Sequence, residues 1–278
     1  MTLTVFLAVL GAALLHATWN AAVKTGANKQ SSMLILTVWQ GVMGTMVVIW
    51  RPLPLPEVWP WLIASGVVHM FYQLFLAYAY EQGDLSRVYP LARGSAPMMV
   101  MVFSIFALPD VVGPMEFLGV TVLGLGIVLM AWGALASGEN RKLIPFALGA
   151  ACATASYTVI DGMGARIGGD PLTFVGWLLL MSAFFYVPAI LFLKGTAVFR
   201  APRKDWMLGT FTGSASLAAY GIAVWAMTQA PIALVAALRE TSILFAVLIG
   251  WLAFGDKMNA GKAIAALLIV IGVGLTRL

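Results

Sequence analysis

Two arginines lying deep in apolar sequence, Arg93 and Arg239, are the residues of this chain best suited to chemistry. Each lies about eight residues into a predicted hydrophobic helix, roughly 12 Å deep at about 1.5 Å per residue, near the centre of a membrane core about 30 Å thick. A guanidinium at that depth is costly unless it is paired or faces a cavity, so such arginines mark transport pathways. As forked donors, the two could hold a carboxylate, a phosphate or a phosphonate.

A purely structural role for these arginines is the alternative. Glu240, together with backbone carbonyls freed by Pro90 and Pro97, could neutralise them within the protein. Glu240 is the only carboxylate expected at that depth, so it is either the counter-ion of an arginine, the preferred interpretation, or a site that binds a coupling proton. Gly94 occupies the corresponding position in the first half, so the predicted site is asymmetric in charge.

A second set of polar side chains recurs at helical spacing along four other predicted helices. We expect four of them to bind substrate beside the arginines: Trp19, Asn20, Tyr72 and Tyr157. Further cavity-lining residues are expected to be His16, His69, Gln73, Tyr89, Thr158, Ser216 and Tyr220. Inter-helix hydrogen bonding explains each of these residues about as well, and for the two histidines both interpretations stay open. Lys24 and Asp161, at the predicted ends of helices, are interpreted as loop charges.

The helices that must position these residues are predicted to cross a membrane. The 278 residues are 62% hydrophobic and only 10% charged, with a mean hydropathy of +0.95, which is too apolar for a soluble domain. Breaks at Pro, Gly and charged clusters divide the chain into ten spans. They fall near residues 3–23, 33–50, 59–80, 86–108, 115–136, 144–161, 172–193, 206–228, 231–254 and 260–277. The predicted fold class is therefore an all-α integral membrane protein.

The ten spans divide into two copies of a five-helix unit, predicted at residues 1–138 and 139–278. A shift of 138 residues overlays Gly11 to Ala27 on Gly149 to Ala165, and a shift of 146 residues overlays Arg93 on Arg239. Because five is an odd number of crossings, the second copy must enter the membrane upside down. This inverted repeat is the plan of many secondary transporters.

Several functional classes are excluded by what the sequence lacks. Two histidines in separate spans and a single cysteine, Cys152, cannot form a metal site by themselves, and no P-loop or dinucleotide-binding motif is present. We therefore expect no catalytic residue, no metal and no cofactor, and the chain is not predicted to be an enzyme. The net charge of +5 comes from basic residues scattered singly in loops, so nucleic acid is not an expected partner.

The basic residues also predict an orientation. Eleven Lys and Arg residues follow the odd-numbered spans and three lie on the other side, which places the odd loops in the cytoplasm and both termini outside. The apolar run that begins at Leu3 continues to Val23, too long for a signal peptide, and is interpreted as the first span.

Three stretches carry a resemblance to a known family: LLHATWNAAVKTG (Leu14 to Gly26), GDLSRVYPLARGSAP (Gly83 to Pro97) and APIALVAALRETSILFAVLIG (Ala230 to Gly250). Over essentially its full length the chain resembles the EamA-type ten-helix transporters of the drug/metabolite transporter superfamily. HATWN with VYPLARG and ALRETS is similar to a subgroup labelled phosphonate-utilisation-associated membrane proteins. The resemblance implies a central cavity lined by spans 1, 3, 4, 6, 8 and 9 in a multi-pass protein of the bacterial inner membrane. Its members usually keep both termini in the cytoplasm, unlike the orientation predicted here.

The sequence thus predicts a secondary active transporter of a small anionic or zwitterionic metabolite, working by alternating access. The expected partners are the small-molecule substrate, the lipid bilayer and a coupling proton or ion, and the protein is expected to be a monomer or homodimer. A broad-specificity exporter of hydrophobic drugs is the alternative function. A membrane-embedded enzyme or lipid-handling protein is the third hypothesis, but no cluster of nucleophile, acid or metal ligands supports it.

Overall fold

The computed structural model describes residues 1–24, 28–82, 96–108, 110–135, 142–254, 258 and 260–277. Within these ranges the chain is helical and contains no strand. The helices are α1 (Leu3–Lys24), α2 (Lys29–Ile49), α3 (Trp59–Gln82), α4 (Ala96–Ala107), α5 (Pro114–Leu135), α6 (Leu143–Gly168), α7 (Pro171–Lys194), α8 (Arg203–Met227), α9 (Ile232–Arg239), α10 (Thr241–Phe254) and α11 (Ala260–Leu275). Two short 3-10 turns, Pro56–Val58 and Thr196–Phe199, precede α3 and α8.

The lengths of these helices suit a bilayer. Seven helical segments in the described part of the chain are long and apolar enough to cross a membrane, and α5 and α11 contain shorter apolar stretches. When α9 and α10 are taken together as one crossing, the described helices number ten, as the sequence predicts. The prediction of an all-helical fold with ten hydrophobic elements is confirmed.

The sixth predicted span ends too early. Helix α6 continues through Asp161 to Gly168, so the interpretation of Asp161 as a loop charge is wrong. Gly162 and Gly164 do not terminate the helix. Their missing side chains instead leave room for Ile232 of α9 and Phe174 of α7 to pack closely against α6. The helix ends instead at Gly169, whose φ of +70° is the left-handed conformation of a helix C-cap.

The ninth predicted span is interrupted at Glu240. Helix α9 ends at Arg239 and α10 begins at Thr241. At the junction the Glu240 amide donates to the Ala237 carbonyl at 3.1 Å, a three-residue spacing that tightens the helix. Of the residues in this span 67% are buried, against 33–44% in the other six candidate spans, so the interruption lies at the centre of the protein.

The start of α7 is fixed by a capping aspartate outside the membrane-spanning segment. The Asp170 carboxylate accepts hydrogen bonds from the Leu172 amide at 3.1 Å and the Thr173 hydroxyl at 2.6 Å. Partial burial disfavours the charged form, but these hydrogen bonds and the guanidinium of Arg51 hold the pKa of Asp170 below its ordinary value. Arg51 lies 3.4 Å away and anchors the end of α2 to this cap.

Equivalent helices of the two halves pack against each other in opposite directions. Helices α2 and α7 are the second helices of their respective units, and they are in direct contact. A Cβ atom added to Gly41 would lie 2.7 Å from Ala183, and one added to Gly44 would lie 2.6 Å from the Gly176 carbonyl oxygen. As the residue number rises along α2 it falls along α7, so the pair is antiparallel and very closely packed.

The fifth helices repeat this arrangement. A Cβ atom on Gly119 of α5 would lie 2.8 Å from the Gly272 carbonyl oxygen of α11, and one on Gly126 would lie 2.9 Å from that of Ala265. The pair is again antiparallel and is held together by glycine contacts, as expected from small residues at membrane helix interfaces. Antiparallel packing of equivalent helices is what an inverted repeat requires, because its twofold axis lies in the membrane plane.

The remaining helices cross between the halves in matching pairs. Helix α3 packs on α6 as α1 packs on α8, and α3 packs on α7 as α2 packs on α8. Likewise α4 contacts α6, and α1 contacts α10. The first and third helices of each half therefore face one another across the centre of the protein, where the cavity described next is located.

Candidate functional site

A cavity with about 870 Å³ of empty volume, its open mouth included, lies at the centre of the helix bundle. It is bounded by α1, α2, α3, α6, α7, α8 and the end of α9. The lining residues are His16, Trp19, Asn20, Lys29, Ser32, Met33, Leu36, Gln40, His69, Tyr72, Gln73, Leu76, Tyr80, Tyr157, Leu179, Ser216, Tyr220 and Arg239.

Most of the residues predicted from sequence meet at this cavity. Ten of the fourteen line it: His16, Trp19, Asn20, His69, Tyr72, Gln73, Tyr157, Ser216, Tyr220 and Arg239. Thr158 and Glu240 are buried, at 1% and 3% exposure, without lining it. Arg93 and Tyr89 lie outside the described residues. The described lining also includes α2 and α7, two helices that the sequence interpretation left out.

Arg239 is the charged group deepest in this wall. It is the last residue of α9 and is 8% exposed, and its guanidinium carbon lies 5.0 Å from the centre of the Tyr220 ring. No carboxylate of the described residues lies within ion-pair distance of it. A cation–π contact supplies part of the stabilisation that a desolvated guanidinium needs, but it satisfies none of the N–H donors.

A second polar group lies behind the cavity wall, around Asp161. The Tyr220 hydroxyl donates a hydrogen bond to Oδ2 of Asp161, a residue with no exposed surface. His69 Nε2 lies 3.8 Å from the same oxygen, and the His69 ring packs on Tyr157 with 4.1 Å between centroids. The expectation that Glu240 is the only carboxylate at this depth is therefore wrong, because α6 continues about two turns beyond its predicted end and so holds Asp161 inside the helix bundle.

The α1 side of the cavity is formed by a histidine, a tryptophan and an asparagine one turn apart. The His16 and Trp19 rings meet edge to face at 4.9 Å, and the Asn20 amide donates to the His16 carbonyl at 2.8 Å. The Trp19 indole N–H is buried and donates to no described residue. A buried donor without a partner among the described residues thus belongs to a residue of the cavity wall.

Two amide side chains complete the wall. Gln40 of α2 donates to the Ser216 hydroxyl at 2.8 Å, and Gln73 of α3 donates to the Ser182 hydroxyl at 3.2 Å. The Gln73 carbonyl oxygen is buried and accepts no hydrogen bond from a described residue. Gln40 was missed by the sequence analysis, although an amide in the middle of an otherwise apolar span was a usable signal.

As far as the described residues line it, the cavity extends toward the end of the bundle at which α2 begins. Lys29 and Ser32 at the start of α2, and Tyr80 near the end of α3, line its outer part. The opposite end is filled by an apolar cluster drawn from both halves, which includes Val5, Val9, Val100, Met101, Val120, Ala226, Met227, Ile232, Val235 and Leu238. Both chain termini lie at this filled end, where the Arg277 guanidinium donates to the Met1 carbonyl at 2.8 Å.

An ion pair, which we call the latch, closes this apolar end. The Arg166 guanidinium contacts the Asp110 carboxylate through two hydrogen bonds, at 2.8 and 3.2 Å. It also donates to the carbonyls of Met227 and Ala230, and Asp110 accepts from the Ile232 amide at 2.8 Å. The side chains of Arg166 and Asp110 are 23% and 12% exposed. The latch therefore joins the loop before α5, the end of α6 and the α8–α9 junction.

Comparison with known proteins agrees with this architecture. The model of the EamA-like transporter family matches residues 3–132 and again residues 141–278. The chain belongs to the EamA-like transporter family. This EamA-like protein is accordingly a multi-pass membrane protein of the drug/metabolite transporter type, built from two EamA repeats, as predicted. Members of the family are transporters rather than enzymes, and the subdivision into residues 1–138 and 139–278 stays a prediction.

A solved structure described as "Crystal structure of protein" has the same fold as this EamA-like protein. The two align with a TM-score of 0.77 over 99% of this chain and 98% of the other, at 21% sequence identity. That identity establishes the shared fold alone. No curated protein sequence matches the chain.

Proposed function

We propose that this EamA-like protein is a secondary active transporter of a small anionic or zwitterionic metabolite, such as an amino acid, an organic acid or a phosphonate, in the bacterial inner membrane. Arg239 binds the acid group of the substrate, and Trp19, Tyr72 and Tyr157 enclose its body. The observation that carries the proposal is a buried guanidinium that faces an aromatic cavity and has no ion-pair partner among the described residues.

The energetics of burial favour an anionic ligand. A guanidinium removed from water without an anion retains a large desolvation cost, which a carboxylate or phosphonate offsets through two parallel charge-assisted hydrogen bonds. The Tyr220 ring on one side of Arg239 leaves the edges of the guanidinium available for such a pair. Arg93, the predicted second donor, lies outside the described residues and remains part of the proposal.

A zwitterionic ligand also finds complementary groups. The unpartnered Gln73 carbonyl oxygen can accept a hydrogen bond from an ammonium group, and the rings of Tyr72 and Tyr157, with centroids 5.4 Å apart, offer faces to a cation. The Trp19 indole adds a donor that can reach a second acid oxygen. The cavity therefore combines one strong anion site with weaker groups suited to the opposite charge.

Alternating access is supported by the difference between the two ends of the bundle. The cavity opens past Lys29, on the side that the distribution of basic residues predicts to be cytoplasmic, while the latch and the apolar cluster close the other side. The inverted repeat provides a second arrangement in which the roles of the two halves are exchanged. Rocking of one half against the other would then open the closed end and close the mouth.

Counterflow in proteoliposomes tests the proposal. Purified protein is reconstituted with an unlabelled mixture of amino acids, dicarboxylates and phosphonates inside, and uptake of each labelled compound is measured in turn. We expect wild-type protein to exchange at least one acid-bearing compound, and Arg239→Gln to lose that exchange. Arg51→Gln is the matched control, because Arg51 lies at the surface in an exposed ion pair with Asp170.

The rival function gives a different outcome in the same vesicles. A broad exporter of hydrophobic compounds would exchange lipophilic dyes and would retain that activity in Arg239→Gln, since the arginine would then be structural. Undiminished exchange of acids by a folded Arg239→Gln protein contradicts our proposal, and so does wild-type protein that exchanges no acid at all.

A further inference from the structure

A buried carboxyl group, a histidine and a tyrosine form a cluster between the cavity and the interior of α6. We infer that Asp161 binds and releases the coupling proton of transport, and that His69 carries this proton between the cavity and the carboxyl group. The inference rests on the proposed function, because it assigns the ion that drives substrate movement. It places coupling on Asp161 rather than on Glu240, the carboxylate that the sequence singles out.

The position of Asp161 suits a proton site rather than a substrate site. Its side chain has no exposed surface and does not line the cavity, whereas His69 and Tyr220, two of its polar neighbours beside Ser65, both do. Oδ2 accepts the Tyr220 hydrogen bond, and Oδ1 is buried and accepts none from a described residue. A carboxylate in this setting is poorly compensated, and uptake of a proton removes its charge.

His69 is placed to deliver that proton. Its Nε2 atom lies 3.8 Å from Asp161 Oδ2, about 1 Å beyond hydrogen-bond length, and its Nδ1 atom is buried with no partner among the described residues. A proton from cavity water bonds to Nδ1, and the Nε2–H bond breaks as an O–H bond forms on Asp161. His69 is neutral again after the step, and the positive charge has moved to neutralise the carboxylate.

Arg239 links this proton to the substrate. It lies over the face of the Tyr220 ring, whose hydroxyl binds Asp161, and its positive charge favours the ionised carboxylate. An acid group bound to Arg239 cancels that field, so the carboxyl group takes up a proton when the anion binds. Substrate and proton are therefore bound together, and for a singly charged anion their binding leaves the net charge of the site unchanged.

The other elements packed on α6 bring few competing charges. In the described residues, α3 contributes His69 and the Ser65 hydroxyl, α8 contributes Tyr220, and α9 contributes Arg239 with Glu240 next to it. Tyr157 belongs to α6 itself. Helix α4 has no titratable side chain over residues 96–107, α7 presents the apolar Phe174, and Glu57 lies in the turn packed near the Gly168 end of α6.

Infrared titration of reconstituted protein tests the assignment without any substrate. We expect the carbonyl band of a protonated carboxylic acid to grow in wild-type protein as the pH is lowered. Asp161→Asn should lose this band, whereas Glu240→Gln should keep it. Glu81→Gln, which alters a carboxylate in a surface ion pair with Lys194, is the matched control and should also keep the band.

The rate at which the Asp161 band appears shows whether His69 relays the proton or only packs beside the carboxyl group. After a rapid pH jump, His69→Gln should develop the Asp161 band about tenfold or more slowly than wild-type protein, because a general acid is lost from the path. If Asp161→Asn yields no folded protein, Asp161→Glu takes its place and should shift the frequency and the midpoint of the band. A titrating band that is unchanged in the Asp161 variant, or no such band in wild-type protein, overturns the inference.

A second measurement connects the proton to transport. The acid selected by counterflow is added to vesicles that contain a pH-sensitive dye, and proton movement should accompany its uptake. Asp161→Asn should retain counterflow of that acid but lose accumulation driven by a pH gradient. If wild-type protein shows no counterflow of any acid, the proposed function is refuted, while the infrared result is unaffected. If Asp161→Asn still accumulates the acid along a pH gradient, only the assignment of coupling to Asp161 is refuted.

Discussion

Replacing Arg166 by glutamine should open the end of the protein that the latch closes. The guanidinium makes four hydrogen bonds, two to the Asp110 carboxylate and two to the carbonyls of Met227 and Ala230. The shorter, uncharged glutamine side chain could restore one of them at most, and Asp110 would be left partly buried without its counter-ion. The apolar cluster beneath would then be the main force that keeps this end closed.

The size of the effect follows from the exposure of the pair. Net contributions of hydrogen bonds to charged groups are about 1.5–3 kcal/mol each when buried, and water replaces part of them here because the side chains are 23% and 12% exposed. We therefore expect a loss of about 2–3 kcal/mol in the free energy that favours the closed end. At about 1.4 kcal/mol per factor of ten, the open state becomes about 30- to 150-fold more populated.

The population is measured by labelling a cysteine beneath the latch. Cys152 is exposed and is first replaced by Ala, and a single cysteine is then introduced at Ala226, a position with no exposed surface in the apolar cluster. The rate of reaction with a membrane-impermeant maleimide should rise in Arg166→Gln by the factor given above. Arg51→Gln breaks a surface ion pair at the same end and should leave the rate unchanged. A labelling rate in Arg166→Gln within twofold of the parent would refute the reasoning.

Three further predictions concern stability and the cavity wall. Gly272→Ala should lower the free energy of unfolding by about 1–3 kcal/mol, since the new Cβ would lie 2.5 Å from the Leu123 amide nitrogen. Gly274→Ala is the control: it has open space around it and should be neutral or slightly stabilising in the same thermal-unfolding assay. Asp170→Ala should cost about 1 kcal/mol at neutral pH through loss of the α7 cap. The folded-state pKa of Asp170 lies below its ordinary value of 3.8. The difference in unfolding free energy between wild-type protein and Asp170→Ala should therefore be full at pH values above 3.8 and vanish as the pH falls through the folded-state pKa. A difference that grows in acid would contradict this. Trp19→Phe should leave the melting temperature unchanged and weaken binding of the counterflow substrate about fivefold, the worth of about one hydrogen bond; unchanged affinity would remove the indole from the site.

Much of the architecture was predictable because a membrane imposes simple rules on sequence. Hydrophobic length, charge-free runs and the odd number of spans per copy are enough to predict ten helices in an inverted repeat. The cavity wall was also predictable in large part, since a polar or aromatic side chain such as Tyr72 or Ser216 in the middle of a span has few stable places except a cavity or a helix contact.

What the sequence could not provide depends on three-dimensional packing. Glycine normally signals the end of a helix, but Gly162 and Gly164 are there to admit Ile232 and Phe174, and so the length of α6 and the position of Asp161 were misjudged. The tightened turn at Glu240 carries no proline or glycine that would mark it. The latch between Arg166 and Asp110 joins residues 56 positions apart, and the sequence around neither residue indicates that the other is its partner.

Helix α9 is short, and its two ends take part in different structures. Its first residue, Ile232, donates its amide to Asp110 in the latch, and its last residue, Arg239, faces the cavity. Eight residues of α-helix form a rod about 12 Å long, which transmits a displacement rather than absorbing it. The same short helix therefore carries a contact of the latch at one end and a residue of the cavity wall at the other, so a displacement of Arg239 along the helix axis would also displace the Ile232 amide that binds Asp110.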